Sequence, residues 1–116
     1  MTRDGVQAWL DAYVAAWRSY EGIAELFTDD AEYRYHPYDE PLRGADAIAA
    51  DWQREREDPE SWDARYEAQL VDGDRALATG ETRYAEGRTF SNIFVLDFAA
   101  DGRCRSFTEW YMEHPR

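Results

Sequence analysis

Lysine is absent from this chain, and cysteine occurs only once. All 13 basic residues are arginines, so Schiff-base catalysis by a lysine is excluded. The single cysteine, Cys104, cannot form a disulfide within the chain, and no Cys/His spacing matches a zinc site. We therefore expect a cytoplasmic, reducing environment and no bound metal.

Positive charge is scarce as well. The 13 basic residues are outnumbered by 25 acidic ones, which gives a formal net charge of -12. Such a chain repels nucleic-acid phosphates and anionic lipid headgroups. No apolar run has the length of a signal peptide or a membrane span. No phosphate loop, nucleophile elbow or dinucleotide fingerprint occurs. We predict no nucleic-acid partner, no membrane partner and no cofactor.

Apolar and aromatic residues are plentiful, at 44% and 16% of the 116 residues. This is enough to bury one core, and the length leaves no room for a second domain. No internal repeat or low-complexity linker divides the chain. We predict a single domain over residues 1–116.

The first half of the chain predicts three helices and one strand. Apolar residues at helical spacing follow Asp4, whose side chain is a candidate acceptor for the first free N–H groups. The helical pattern repeats over residues 21–27 and gives way to turn-forming residues at 28–30. Residues 31–36 alternate like a strand, and an alanine-rich third helix covers residues 45–57.

The second half predicts a meander of strands. Acidic residue–glycine pairs separate runs of strand-forming residues at hairpin distances, at Asp72-Gly73, Glu86-Gly87 and Asp101-Gly102. Four antiparallel strands are predicted, at residues 62–71, 75–85, 88–99 and 103–112. The element order is thus α-α-β-α-β-β-β-β, which indicates an α+β protein whose three helices cover one face of a curved sheet.

Both faces of the predicted sheet carry apolar side chains. On the strand at 88–99, Phe94 and Leu96 share one face, whereas Ile93 and Val95 share the other. If the helices cover the first face, the second face needs a different cover. We predict a homodimer formed through this outer sheet face.

His36 is the first candidate for chemistry, because it ends an aromatic strand just before Pro37. Imidazole exchanges protons near neutral pH, so His36 in a pocket is a candidate for proton transfer. The alternative is a strand-end histidine whose nitrogens bond loop carbonyls or water. The second histidine, His114, lies near the chain end and is assigned no role.

The order of elements and several local strings resemble the nuclear transport factor 2-like superfamily, in particular its SnoaL-like polyketide cyclase and ketosteroid isomerase branch. The strings are Asp11-Ala12-Tyr13-Val14, Leu26-Phe27-Thr28-Asp29-Asp30-Ala31, Pro41-Leu42-Arg43-Gly44, Ala47-Ile48, Ala100-Asp101-Gly102-Arg103 and Glu109-Trp110-Tyr111. The resemblance covers nearly the whole chain and implies a cone-shaped, curved mixed sheet with three helices on its concave face. It identifies architecture better than activity, because this fold hosts isomerases, cyclases, dehydratases, epoxide hydrolases and non-catalytic binding domains.

Position by position, the resemblance implies a general base at His36 and an oxyanion-binding hydroxyl at Tyr13. The second oxyanion donor of the isomerases, a carboxylic acid, falls at Phe94, and two supporting tyrosines fall at Phe27 and Trp52. These departures argue against steroid isomerisation. Tyr13 has the alternative of a packed core tyrosine with its hydroxyl bonded to a carbonyl.

The resemblance also points a set of strand side chains inward, namely Glu81, Asn92, Phe107, Glu109 and Tyr111. A glutamate among aromatic walls loses solvation, which makes Glu109 a candidate acid or base and a partner for His36 in proton transfer. Its alternative is a structural ion pair with Arg34 or Arg83. Asn92 is either a donor to a ligand or a satisfied core amide.

Five aromatic side chains are expected to line the pocket or to pack its walls: Trp17, Trp52, Phe94, Phe107 and Tyr111. The sequence thus predicts a pocket for a small hydrophobic molecule. The leading hypothesis is cofactor-independent acid/base chemistry, such as isomerisation, cyclisation or dehydration, on an apolar oxygenated compound, with His36, Tyr13, Asn92 and Glu109 as the catalytic set. The alternative is a non-catalytic ligand-binding or dimerisation domain of the same fold.

Overall fold

The computed structural model describes all 116 residues. Two helices are present, α1 (Arg3–Ser19) and α2 (Ala45–Arg54), together with a single 3-10 turn (Ala24–Leu26). The six strands are β1 (Phe27–Arg34), β2 (Leu42–Arg43), β3 (Trp62–Asp72), β4 (Arg75–Tyr84), β5 (Thr89–Phe98) and β6 (Cys104–Glu113). They form one sheet in the order β2-β1-β6-β5-β4-β3.

The predicted α+β class and the mixed, curved sheet are confirmed. The sheet is mixed because β1 runs parallel to β6, whereas every other pair of neighbouring strands is antiparallel. One hydrophobic core fills the space between the helices and the inner face of the sheet. The four predicted meander strands match β3 to β6 to within one residue at each end, because glycines with positive φ fix the hairpins between them.

The region between α1 and α2 differs from the prediction. The second helix is only the 3-10 turn. Strand β1 begins at Phe27 and includes residues 28–30, which were expected to form a turn. Phe27 is paired with Cys104 of β6, and the register shifts before Glu32. Pairing with β6 supplies backbone partners that an isolated turn lacks, and the resulting bulge absorbs the turn-forming residues. The third predicted helix, α2, is shorter than expected and ends at Arg54.

Helix α1 carries the aromatic side chains that face the sheet. Its N-cap is Thr2, whose hydroxyl accepts from the Gly5 N–H at 3.0 Å, so the predicted cap at Asp4 is wrong by two residues. The helix ends where Tyr20 adopts a left-handed conformation with φ of 57°. Neither α1 nor α2 is long and apolar enough to cross a lipid bilayer.

Gly80 makes room for an aromatic ring in the middle of the sheet. It is paired with Tyr66 of β3 and with Asn92 of β5. A Cβ at Gly80 would overlap the carbonyl oxygen of Arg65 and lie 2.5 Å from Tyr66 Cδ1. The Tyr66 ring therefore lies against the backbone of β4, a packing arrangement that a side chain on residue 80 would prevent.

We expect Gly80→Ala to lower the free energy of unfolding by about 2–3 kcal/mol, because the added methyl group meets backbone atoms that cannot move aside. Gly73→Ala is the control. No atom lies within 4 Å of its new Cβ, and only the left-handed backbone conformation is penalised, by about 1 kcal/mol. Urea denaturation of both variants measures the difference, and equal losses would contradict the packing argument.

Candidate functional site

A cavity of about 520 Å³ opens between the two helices and the inner face of the sheet. Ten of its 17 lining residues are hydrophobic, and all ten are aromatic: Tyr13, Trp17, Tyr20, Tyr33, Tyr35, Trp52, Tyr66, Tyr84, Phe90 and Tyr111. The polar lining residues are Asp51, Glu55, Glu57, Thr82, Arg88, Asn92 and Glu109. The volume is sufficient for a small organic molecule, since such sites begin at roughly 300 Å³.

Glu109 is a carboxyl group in this wall that a hydrogen bond holds in place. It lies on β6 opposite Phe94, and its Oε2 accepts from Asn92 Nδ2 at 2.6 Å. Its Oε1 accepts no hydrogen bond from the chain. Burial raises the pKa of Glu109 to about 7, although the Asn92 hydrogen bond and the nearby His36 act in the opposite direction. A carboxyl group of this kind gains and loses its proton near neutral pH.

The alternative ion pairs for Glu109 do not form. Arg34 lies 3.7 Å from Glu32, and Arg83 lies 3.3 Å from Glu81. Both arginines are therefore engaged by acidic neighbours on their own strands. Glu109 is left without a cationic partner at salt-bridge distance, which is why desolvation dominates its pKa.

Asn92 belongs to a directional series of hydrogen bonds across four strands, β3 to β6. Thr82 Oγ1 donates to Asn92 Oδ1 at 3.0 Å, so its own oxygen accepts from the Tyr66 hydroxyl at 2.7 Å. The series therefore runs from Tyr66 through Thr82 and Asn92 to Glu109. The Asn92 amide accepts through its oxygen and donates through its nitrogen, which fixes the amide and, through it, the Glu109 carboxyl.

Tyr13 on α1 and Tyr33 on β1 form a buried hydroxyl pair, with 2.9 Å between the two oxygens. Burial raises the pKa of both phenols well above the ordinary value. One hydroxyl donates to the other, so the accepting hydroxyl keeps a proton with no acceptor in the chain. Tyr13 therefore bonds to a side chain rather than to a backbone carbonyl, and the pair can offer one O–H to a ligand oxygen.

His36 lies at the rim of the cavity and not in its wall. Its Nδ1 is 2.9 Å from Asp39 Oδ2, and its Nε2 is 2.8 Å from the Tyr111 hydroxyl. An ionised Asp39 can only accept, so in the neutral ring Nδ1 carries the proton and Nε2 accepts from Tyr111. Side chains, and not the loop carbonyls or water of the alternative interpretation, thus bond both nitrogens, and the ring reaches the cavity through Tyr111.

The other predicted residues divide between three places. Trp17, Trp52 and Tyr111 line the cavity. Phe94 and Phe107 lie behind the lining, fully buried against Tyr13. The expected inward position of Glu81 is wrong, because β4 alternates and Glu81 lies on the outer face beside Arg83 while Thr82 lines the cavity.

Several lining residues were missed by the sequence reasoning. The strand residues Tyr66 and Thr82 follow from alternation along β3 and β4 once the register with Asn92 is known. The lining residue Glu57 and the His36 partner Asp39 come from loops, where no periodic pattern assigns a direction. No three His, Cys, Asp or Glu side chains lie close enough together to hold a metal ion.

Comparison with known proteins gives the family. The sequence matches the SnoaL-like domain family over residues 6–107, so the chain belongs to that family. No curated protein has a significantly similar sequence.

Solved structures show the same fold. A nuclear transport factor 2-like protein of unknown function from Burkholderia xenovorans has a TM-score of 0.76 and 17% identity, with 97% of this chain and 87% of that chain covered. A protein from Sphaerobacter thermophilus has a TM-score of 0.68 and 22% identity, with 90% and 93% covered.

The pKa of Glu109 makes stability depend on pH. The pKa of Glu109 is about 7 in the folded state, whereas its ordinary value is 4.5. Between pH 4.5 and pH 7 the folded state therefore binds more protons than the unfolded state. The contribution of Glu109 to the free energy of unfolding is complete below the unfolded-state pKa and is lost as the pH rises through about 7. We expect Glu109→Gln to raise the free energy of unfolding by about 2–3 kcal/mol at pH 8 and by little at pH 4.

Glu81→Gln is the matched control, since it removes one negative charge from the outer face of the same sheet. Urea denaturation at both pH values measures the two variants. A pH-independent effect of Glu109→Gln, or an equal pH dependence in Glu81→Gln, would show that Glu109 titrates normally.

Proposed function

We propose that this SnoaL-like protein binds a small oxygenated organic molecule and moves a proton on it without a cofactor, in the manner of an isomerase, cyclase or dehydratase. The observation that carries the proposal is Glu109: a desolvated carboxyl with a pKa of about 7, one oxygen held by Asn92 and the other unbonded, in the wall of a cavity of about 520 Å³. Membership of the SnoaL-like family supports a small-molecule-binding domain.

Glu109 is the proton-transfer group in this proposal, in place of the histidine expected from the sequence. Above pH 7 its carboxylate accepts a proton from a carbon next to a carbonyl group. Asn92 is a positioning residue, because its donated hydrogen bond fixes the carboxyl and keeps its second oxygen available. The free O–H of the Tyr13–Tyr33 pair stabilises the negative charge that develops on the substrate oxygen.

His36 and Tyr111 act at the rim. The Asp39–His36–Tyr111 series of hydrogen bonds holds a phenol at the cavity mouth, next to the inward-facing Glu109 two residues earlier on β6. In the proposal His36 orients Tyr111, and because it lies near Glu109 it also favours the ionised form of that carboxyl. It does not touch the substrate.

Proton exchange provides a test that needs no knowledge of the natural substrate. We expect the protein to accelerate exchange of the α-protons of 2-tetralone in D2O, followed by the loss of their NMR signals. The catalysed rate is expected to rise with pH through about 7, as Glu109 becomes a carboxylate. Glu109→Gln is expected to lower the catalysed rate by at least about 100-fold.

Glu81→Gln, with its carboxyl on the outer face, is expected to retain the full rate. Exchange that survives Glu109→Gln would refute the role of this carboxyl. Binding of 2-tetralone by calorimetry without any exchange would instead support a non-catalytic ligand-binding domain.

We also propose that the outer sheet face forms a homodimer. Apolar side chains stand exposed on it, with Ile93 and Trp110 paired across β5 and β6 and Met112 beyond them, 43%, 43% and 74% exposed. Exposed apolar sheet area of this kind is typical of subunit interfaces. A second copy of the same face would cover these side chains isologously.

Light scattering at about 10 μM is expected to give twice the 13.6 kDa of one chain. Trp110→Glu places like charges opposite each other across the two-fold interface, and we expect it to give a folded monomer. Tyr38→Gln removes an aromatic ring that is 80% exposed elsewhere and is expected to leave the mass unchanged. A monomeric mass for the unaltered protein would contradict the proposal.

A further inference from the structure

The cavity wall contains no aliphatic side chain. Its ten hydrophobic residues are all aromatic, and the rest of the wall is a set of carboxylates with one guanidinium, one threonine and one asparagine. An apolar pocket for a neutral hydrocarbon skeleton is ordinarily lined by aliphatic as well as aromatic groups. Aromatic faces differ from aliphatic surface in carrying a negative electrostatic potential, which attracts cations.

The charged groups of the wall have the same sign as this potential. Four carboxyl groups line the cavity, from Asp51, Glu55, Glu57 and Glu109, against the single cation Arg88. Arg88 is already bound to Glu86, which lies outside the cavity lining. Asp51 is likewise bound to a cation outside the lining, Arg54. The other three carboxyl groups have no cation at salt-bridge distance, and the net charge of -12 extends this negative field beyond the cavity.

Arginine side chains of the protein already pack on three aromatic rings of the wall. The Arg88 guanidinium lies 4.5 Å from the Tyr84 ring and 5.7 Å from the Phe90 ring, and the Arg56 guanidinium lies 4.9 Å from the Tyr20 ring. All three rings line the cavity. These contacts lie within the distance of effective cation–π attraction, so the wall is able to hold a cationic group of suitable size.

From this combination of aromatic faces and unmatched carboxylates we infer that the ligand is a cation, an organic molecule that carries a protonated or quaternary amine. The inference rests on the proposed function, whose oxygenated substrate it narrows to an amine-bearing one. The cationic nitrogen lies among the aromatic rings and the carboxylates of Glu55 and Glu57, and the oxygenated part reaches Glu109 and the tyrosine pair.

The titration of the wall agrees with this assignment. Burial raises the pKa of Glu109 and of Glu57, even though Arg88 lies near Glu57 and acts in the opposite direction. A carboxylate is destabilised in this way when water is removed and no sufficient positive charge replaces it. A ligand cation would supply that charge, whereas a ligand anion would add to the repulsion.

The test uses three probes that share a phenol frame and a tetrahedral substituent but differ in charge. They are 3-hydroxyphenyltrimethylammonium, its neutral isostere 3-tert-butylphenol and the anion 3-hydroxybenzenesulfonate. By isothermal titration calorimetry at pH 8 and low ionic strength, we expect the cation to bind at least about tenfold more tightly than the neutral isostere. The anion is expected not to bind.

Two variants test whether the cation binds inside the cavity. Glu57→Gln is expected to weaken binding of the cation about fivefold or more and to leave the neutral isostere within twofold. Glu55→Gln, at an exposed lining position, is expected to act in the same direction without disturbing the fold. Glu60→Gln is the control, because it removes an exposed charge from the same segment outside the lining and is expected to change the affinity less than twofold.

The outcomes separate this inference from the proposed function. If the neutral isostere binds as tightly as the cation, the charge preference is refuted and a small-molecule site remains. If the cation binds more tightly but equally well to Glu57→Gln, Glu55→Gln and Glu60→Gln, the attraction is the general field of an acidic protein, and the inference is refuted. If none of the three probes binds, both the inference and the proposed binding site lose their support.

Discussion

The hydrogen bond between Asn92 and Glu109 is the contact on which the site depends, because it joins a buried charge to the architecture of the sheet. The two residues lie on neighbouring strands, and their approach to 2.6 Å requires β5 and β6 to keep their register. Asn92 is in turn held by Thr82 of β4. A one-residue slip of β5 would turn Asn92 to the outer face and leave the Glu109 carboxyl buried without a donor.

The aromatic layer behind the cavity keeps the polar groups at fixed distances. Phe107 lies between Tyr33 and Tyr13, with ring centroids 4.3 Å and 5.4 Å away in stacked geometry. The hydroxyls of those two tyrosines are therefore brought together by their rings and not by a loop. Interiors packed at this density permit little independent motion, so the O–H donor and the Glu109 carboxyl are held in place before any ligand arrives.

The sequence predicted the sheet better than the first connection and the rim. Strands β3 to β6 follow from alternation and from glycine turns, which are local signals. The inward direction of Glu109 and Asn92 followed from the family resemblance, and both line the cavity. Strand β1 extends back to Phe27 because it is paired with β6, a contact about 80 residues away that no local propensity reports. The hydrogen bonds of His36 with Asp39 and Tyr111 depend on a loop conformation, which local propensity does not report either. Glu81 was misplaced because its neighbour Thr82 occupies the inward position.

Charge links the two parts of the cavity. Glu109 has a pKa of about 7 because it has lost water without gaining a cation, and a cationic ligand in the same wall would favour its ionised form. Binding and proton release are then coupled: the ligand lowers the pKa of Glu109, and the ionised carboxyl in turn strengthens binding of the ligand. At pH 7 the empty protein would hold this carboxyl divided between its acid and carboxylate forms, and a bound cation would shift it to the carboxylate base. A neutral ligand lacks this effect and leaves the carboxyl, at pH 7, divided between its two states. The aromatic wall and the acid/base group therefore act through a single electrostatic balance.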